Sequence, residues 1–244
     1  MPPAAAALTQ RFWPGPLTIV LRKTDTIPDI VTAGLPSVAL RVPDHPVARS
    51  LIAATGRPLA APSANPFGYI SPTAAEHVAA QLGEQLPLIL DGGPCRVGVE
   101  SSIVSFVDRD PALLRAGGIG LEDIEAVIGP VRVDTDRSLP LAPGQLPRHY
   151  APRTPIALVA SPGQIAPAER AGVALLLPQP SADSSGFAHV EVLSPDGQLG
   201  TVAANLFAAL RRLDDAGFER IVAVAIPEIG LGRAIMDRLR RASM

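Results

Sequence analysis

The sequence is nearly without cysteine and lysine. Cys95 is the one thiol among 244 residues, so no internal disulfide framework and no multi-cysteine zinc site can form. A single thiol fits a reducing compartment. Lys23 is the only lysine, the other twenty basic residues being arginine. It stands in Leu21-Arg22-Lys23-Thr24 with no glycines before it, which excludes the G-x-x-x-x-G-K-[ST] phosphate loop. Apolar runs long enough to span a bilayer are missing; the longest clean ones, such as Ile221 to Ile226, are strand-sized. Met1-Pro2-Pro3 and its four alanines lack the positive region and long apolar stretch of a signal peptide. Charge of either sign is scarce in excess: the net value is -2 and the pI near 6.1, which offers no global attraction to nucleic acid or an anionic membrane. A cytoplasmic protein without a membrane segment is expected.

What is there suffices for a packed core. Hydrophobic residues make up 47% and charged residues 18%, and the length suits one or two domains. The 27 prolines and 21 glycines show no repeat, so they read as punctuation between many short elements. Short β-rich runs bounded by Pro, Gly or Asp predict strands at Leu17 to Leu21, Val38 to Val42, Leu88 to Leu90, Ile103 to Val107 and Leu113 to Arg115. Helices are predicted over His45 to Ala54, over Thr73 to Leu82 with Thr73 as cap and Glu76 three residues on, and over Leu121 to Ile128.

From Gly129 to Pro155 six prolines and four arginines alternate. Proline at this density resists both helix and central strand, so the segment reads as a linker. Beyond it strands are predicted at Ile156 to Val159, Val173 to Leu177, Val190 to Leu193 and Ile221 to Ile226, and helices over Leu199 to Ala216 and Ala234 to Arg241. In the longer helix Val202, Leu206, Ala209, Leu210 and Leu213 form a 3.6-residue stripe. The arginine runs Arg211-Arg212 and Arg238 to Arg241 read as solvated helix faces. The expected class is α/β: a domain over 1–129, a linker over 130–155 and a smaller α/β domain over 156–244.

Common catalytic signatures are missing. There is no H-E-x-x-H or G-x-S-x-G, and the four histidines are scattered. Gly230-Leu231-Gly232 reads as a tight strand-to-helix turn, because Ile235 occupies the third glycine position of a dinucleotide fingerprint. What remains is a set of small hydroxyls, glycines and arginines in loops after strands. Pro62-Ser63-Ala64-Asn65-Pro66 holds a Ser and an Asn between two prolines, either as a ligand loop or as a plain Asx turn. Gly92-Gly93-Pro94 and Gly98-Val99-Glu100-Ser101-Ser102 suit an anion or an ordinary hairpin. Arg41 and Arg115 fall in otherwise apolar strands, where a planar cation needs a carboxylate or phosphate ligand or an ion pair with Asp44, Asp91 or Glu100.

At these residues the sequence resembles a known family. Arg11-Phe12-Trp13-Pro14-Gly15-Pro16-Leu17-Thr18, Leu40-Arg41-Val42-Pro43-Asp44-His45-Pro46, Ala61-Pro62-Ser63-Ala64-Asn65, Ser71-Pro72-Thr73, Asp91-Gly92-Gly93 and Val99-Glu100-Ser101-Ser102 occur in the order of the YrdC-like domain of L-threonylcarbamoyladenylate synthases, the first enzymes of the tRNA threonylcarbamoyladenosine pathway. Pro143-Gly144-Gln145-Leu146-Pro147-Arg148-His149-Tyr150-Ala151-Pro152 is similar to the family's linker, and Gly230 to Leu239 to the end of its two-domain form. The resemblance implies a twisted, open mixed sheet of the YrdC-like type followed by a smaller Rossmann-like domain. It implies that L-threonine, bicarbonate and ATP give threonylcarbamoyl-AMP and pyrophosphate. On the matching positions, Arg41, Ala61 and Ser101 would hold threonine, while Ser37, Ser63, Ser71 and Arg115 would lie along ATP. His149 or Tyr150 would close over the nucleotide. Magnesium is expected with the triphosphate, without a nominated ligand, and a functional link to tRNA threonylcarbamoyl-transfer proteins is implied.

The resemblance also implies a Lys-x-Arg-Pro motif before the Phe-Trp-Pro-Gly-Pro segment, where this chain has twelve residues before Trp13. An incomplete front to the first domain, and weak or no turnover, are therefore expected. Asp237 stands where the family usually has Asn. The rival expectation is a non-catalytic module binding nucleotide or double-stranded RNA, against which the near-neutral charge argues.

Overall fold

The computed structural model describes residues 1–134 and 150–244. In chain order the helices are α1 (Pro3–Phe12), α2 (Pro46–Thr55), α3 (Ala75–Leu82), α4 (Leu121–Ile128), α5 (Leu199–Asp215) and α6 (Leu231–Ala242). The strands are β1 (Leu17–Arg22), β2 (Ser37–Leu40), β3 (Ser102–Ser105), β4 (Ala112–Arg115), β5 (Arg132–Val133), β6 (Ile156–Val159), β7 (Val173–Leu177), β8 (His189–Val192) and β9 (Arg220–Val224). Two compact units result. Unit 1 joins Met1–Pro62 to the described part of Glu100–Leu146, and unit 2 joins Ser63–Val99 to the described part of Pro147–Met244.

Unit 1 is built on a mixed sheet in the order β2-β1-β3-β4-β5. β1 pairs antiparallel with β2 and parallel with β3; β4 runs antiparallel to β3 and parallel to β5. Val20, Ile103, Ala112 and Leu114 form a core cluster on this sheet, with Val107 packed against it. The helix α1 was not anticipated from the sequence. Proline suits a first helical position because its missing N–H is not needed there, and the four alanines that follow favour helix most strongly. Ala5 and Leu8 are its buried residues, and it packs beside α4. The helix α2 forms where predicted, yet none of its residues is buried.

Unit 2 carries a wholly parallel sheet in the order β6-β9-β7-β8. All five residues of β7 are buried, as expected of a central parallel strand covered on both faces. Val202, Leu206, Ala209, Leu210 and Leu213 of α5 are all buried, so the predicted stripe faces the core. No helix among the described residues is long and apolar enough to cross a membrane.

Three readings change. Leu88 to Leu90 pairs with no strand among the described residues, and Leu88 is 70% exposed; so short an apolar run becomes a strand only beside a partner. The helix expected from Thr73 starts at Ala75 without a side-chain cap from the sequence's Thr; the His77 ring nitrogen instead accepts the Thr73 N–H at 3.1 Å. The arginine runs are not uniformly solvated. Arg211, Arg238 and Arg241 are buried, while Arg212 and Arg240 face out and pair with Glu191 and Glu228. Asp237 makes the burial on α6 tolerable, accepting from Arg238 Nη1 at 2.8 Å and from Arg241 Nε at 2.9 Å.

The turn Gly230-Leu231-Gly232 opens α6, and a Cβ on Gly232 would fall 2.0 Å from the Pro227 carbonyl oxygen. Gly200, at the same position of α5, has nothing within 4 Å of a built Cβ. Glycine-to-alanine changes in helices ordinarily stabilise, by up to about 1 kcal/mol. Urea unfolding should therefore show Gly200→Ala neutral to stabilising and Gly232→Ala destabilising by about 1–3 kcal/mol.

Candidate functional site

In unit 1 the chain folds several of the singled-out motifs onto one another. The Gly15 N–H donates to the Val42 carbonyl at 2.8 Å, and Arg41 Nε donates to the Gly15 carbonyl at 3.0 Å. The Phe12-Trp13-Pro14-Gly15 turn is thereby tied to the segment that carries Arg41. Arg41 lies one residue beyond β2 and is exposed, rather than inside a strand reaching Val42. Ser37, the first residue of β2, is buried and pairs with Arg22 of β1.

A second cluster sits where β1, β3 and β4 meet. Ser101 is buried, its hydroxyl 2.7 Å from Thr18 Oγ1. Arg115, the last residue of β4, donates through Nε and Nη2 to the Ser101 carbonyl and through Nη2 to the Ser101 hydroxyl. The neighbouring hydroxyl is structural, for Ser102 Oγ donates to the Ile119 carbonyl at 2.6 Å and accepts the Ile119 N–H at 2.9 Å. Of the Ser-Ser pair, only Ser101 belongs to this arginine cluster. Gly117 makes the arrangement possible, since a Cβ there would lie 2.3 Å from the backbone of Glu100, Ser101 and Ser102.

In unit 2 the chain from Ser63 to Ser71 begins exposed and ends buried, with Ile70 and Ser71 inside. Asn65 Nδ2 donates to the carbonyls of Pro66 and Tyr69, while its Oδ1 is buried and has no partner among the described residues. The segment is fastened to α5. Arg211 donates to the carbonyls of Ile70 and Ser71 and to Gln81 Oε1, and its guanidinium lies 5.2 Å from the Tyr69 ring centre. Asp214, with no exposed side-chain surface, accepts from Tyr69 Oη at 2.5 Å, Arg153 Nε at 3.0 Å, Thr154 N at 2.8 Å and Thr154 Oγ1 at 2.9 Å.

These contacts perturb the groups that make them. Burial disfavours the charge on Asp214, but the bonds from Tyr69, Thr154 and Arg153 outweigh it and hold the carboxyl below the ordinary aspartate range. Burial first, and then the hydrogen bond and charge of Asp214, push the Tyr69 phenol up to about 12. Burial draws the Arg211 guanidinium down, though an arginine stays charged across the physiological range. Tyr150 is buried under the same helix. Its ring stacks on Phe207 at 5.5 Å and lies 5.2 Å from the Arg238 guanidinium, and its backbone is left-handed with φ of 61°.

Of the residues nominated from the sequence, Arg41, Ser37, Ala61, Ser101 and Arg115 fall in unit 1, and Ser63, Ser71 and Tyr150 in unit 2. Ala61 and Ser63 are exposed, in a stretch without strand or helix. His149 lies outside the described residues. Sequence reasoning missed Thr18, Tyr69, Thr154, Arg211 and Asp214. The signal for the last two was their spacing, since Phe207, Arg211 and Asp214 fall at i, i+4 and i+7, beside the apolar stripe. The described residues contain no group of three His, Cys, Asp or Glu side chains able to hold a metal, so a dedicated magnesium cage is not among them.

Two measurements check this geometry. Ser102→Ala would strip both Ile119 backbone groups of their partner and should cost about 1–3 kcal/mol in urea unfolding. Burial, with the charge of Arg211, holds the His77 ring below its ordinary value, so the folded state keeps it neutral as the acceptor for Thr73. Its contribution to stability is then complete above the unfolded value near 6.5 and declines as pH falls through that value to the folded one. Thermal melts at pH 7 and pH 5 should show that decline, and His77→Gln should flatten it.

Comparison with known proteins covers the whole chain. Residues 1–117 match the Sua5_yciO_yrdC family, described as telomere recombination, and residues 119–244 match the threonylcarbamoyl-AMP synthase C-terminal domain. A Bacillus subtilis threonylcarbamoyl-AMP synthase is 45% identical over 254 residues, covering 99% of this chain and 73% of the relative. A Pyrococcus abyssi threonylcarbamoyl-AMP synthase is 41% identical, covering 100% of this chain and 74% of its own. The crystal structure of P. abyssi Sua5 complexed with L-threonine superposes with a TM-score of 0.90 at 39% identity, over 100% of this chain and 74% of that one. The chain thus spans about three quarters of the length of these relatives, and it belongs to the two-domain threonylcarbamoyl-AMP synthase family, with a Sua5_yciO_yrdC domain followed by the synthase C-terminal domain.

Proposed function

We propose that the chain forms L-threonylcarbamoyl-AMP and pyrophosphate from L-threonine, bicarbonate and ATP, in the cytoplasm and for the modification of tRNA. The single observation that carries this reading is the whole-chain likeness, at a TM-score of 0.90, to a Sua5 solved with L-threonine. In the proposed sequence the threonine amine, as the free base, adds to carbon dioxide in equilibrium with bicarbonate and loses a proton, giving a carbamate. A carbamate oxygen then attacks the ATP α-phosphorus, and the bond to the bridging oxygen breaks to release pyrophosphate. Such a transfer depends on in-line positioning and on neutralising phosphate charge rather than on a covalent enzyme intermediate.

Arg41 is proposed for the threonine carboxylate, which matches its planar fork, with Ala61 and Ser101 beside the amino acid. Ser37, Ser63, Ser71 and Arg115 are proposed for ATP, and His149 or Tyr150 for closing over the nucleotide and excluding water. The buried, unpartnered Oδ1 of Asn65 supports a ligand donor near Ser63. Magnesium would enter with the triphosphate, as it commonly does. Residues 1–129 are proposed as the YrdC-like catalytic domain, 130–155 as the proline-rich linker and 156–244 as the small C-terminal α/β domain, with a functional link to tRNA threonylcarbamoyl-transfer proteins.

Pyrophosphate release from ATP that requires both L-threonine and bicarbonate, together with calorimetric binding of L-threonine, tests the reading. Arg41→Ala should weaken threonine binding by about 10-fold or more. Pyrophosphate release indifferent to threonine, or an unmodified chain that does not bind threonine, would overturn it.

A further inference from the structure

Three side chains on one stripe of α5 do something the proposed chemistry does not use. Phe207, Arg211 and Asp214 are spaced so that they project from one face of the helix, and all three are buried. Between them they contact two chain segments that are remote in sequence, and Asp214 contacts both. Arg211 holds the carbonyls of Ile70 and Ser71. Asp214 holds the Tyr69 hydroxyl with the same oxygen that takes Arg153 Nε, and the backbone and hydroxyl of Thr154 with the other. Phe207 carries the Tyr150 ring. The two segments are also joined directly, by the Ala151 N–H donating to the Gly68 carbonyl at 2.9 Å.

This is more order than core packing requires. Burying two opposite charges on one helix costs desolvation that an apolar pair would not. The donors around Asp214 saturate both of its oxygens, so the carboxylate has one geometry in which it is satisfied. The left-handed backbone of Tyr150, with φ of 61°, is sterically unfavourable for a bulky side chain and persists only where its surroundings over-determine it. The surroundings that do so are Phe207 beneath the ring and the bonded residues Ala151, Arg153 and Thr154 after it.

We infer that Arg211 and Asp214 are positioning residues: they lock the segments 68–71 and 150–154 onto α5, and thereby set Ser71 and Tyr150 in place for the nucleotide. The inference rests on the assignment of Ser71 and Tyr150 to ATP. It gives the C-terminal part of the chain a definite role, since α5 belongs to it while Ser71 lies in the stretch before the linker. Neither residue is assigned to a substrate; they act through the segments they hold.

The test uses the full 244-residue chain, Asp214→Asn, and the milder Tyr69→Phe in case the first fails to fold. Hydrogen exchange reads the lock without any ligand. In Asp214→Asn, exchange across 68–71 and 150–154 should quicken by about 10-fold while β7 stays within about 2-fold. Calorimetry with an ATP analogue carrying a methylene between the α- and β-phosphates should show about a 10-fold loss of affinity, with L-threonine binding held within about 2-fold. Tyr69→Phe should shift both readouts in the same direction by about 3-fold. Unchanged exchange in both variants overturns the lock. Faster exchange with unchanged analogue binding, or an equal loss of analogue and threonine binding, overturns the positioning role. An unmodified chain that binds no analogue removes the ATP assignment and the role built on it; that outcome differs from the others because it appears before any substitution is made.

Discussion

A carboxylate taken wholly out of water is tolerable only when its lone pairs are occupied by donors, and Asp214 meets that condition four times over. The donors come from Tyr69, Arg153 and Thr154, so satisfying one side chain requires separated stretches of chain to converge. Much of unit 2 follows from that demand. The segment around Ser71 lies against α5 because Tyr69 and the carbonyls beside it are needed there by Asp214 and Arg211. The chain enters its parallel sheet at Ile156 directly after Thr154 has been pinned. Arg153 adds a bond to Asp215 from the solvent side, which contributes little in an exposed pair but fits the same placement.

Unit 1 obeys a different constraint, the satisfaction of backbone groups near a strand junction. Arg115 and Thr18 both direct their polar atoms at Ser101, while Ser102 closes onto Ile119. Gly117 lets the backbone after β4 approach the loop before β3 more closely than any side chain would permit. The result is a rigid frame of hydroxyls and a guanidinium assembled from β1, β3 and β4.

The arginines show how far a linear reading reaches. Arg41 and Arg115 stood out because a cation in an apolar run must have a purpose, and both make bonds that tie motifs together. Arg211 looked like half of a solvated pair with Arg212. Adjacent helical residues point in directions about 100° apart, so one of the two can be buried while its neighbour pairs with Glu191 in solvent. Which one is buried depends on what lies across from the helix, and no spacing within α5 records that. Asp237 is the same lesson on α6, where one acidic side chain allows two neighbouring arginines to be buried.

The sequence by itself determined the α/β class, the strands of the second sheet, the buried face of α5 and the family, because these depend on local periodicity and on ordered motifs that survive being read one after another. Its strand at Leu88 to Leu90 failed because a strand is a pairing, and pairing is not a local property. Only the tertiary structure decided that residues 63–99 gather with the C-terminal part of the chain, that Ser102 is a staple where Ser101 is not, and that Asp214 binds residues 60 and 145 positions away. Hydrogen bonds are satisfied in space, and the cost of leaving a buried charge unmet is what chose those partners.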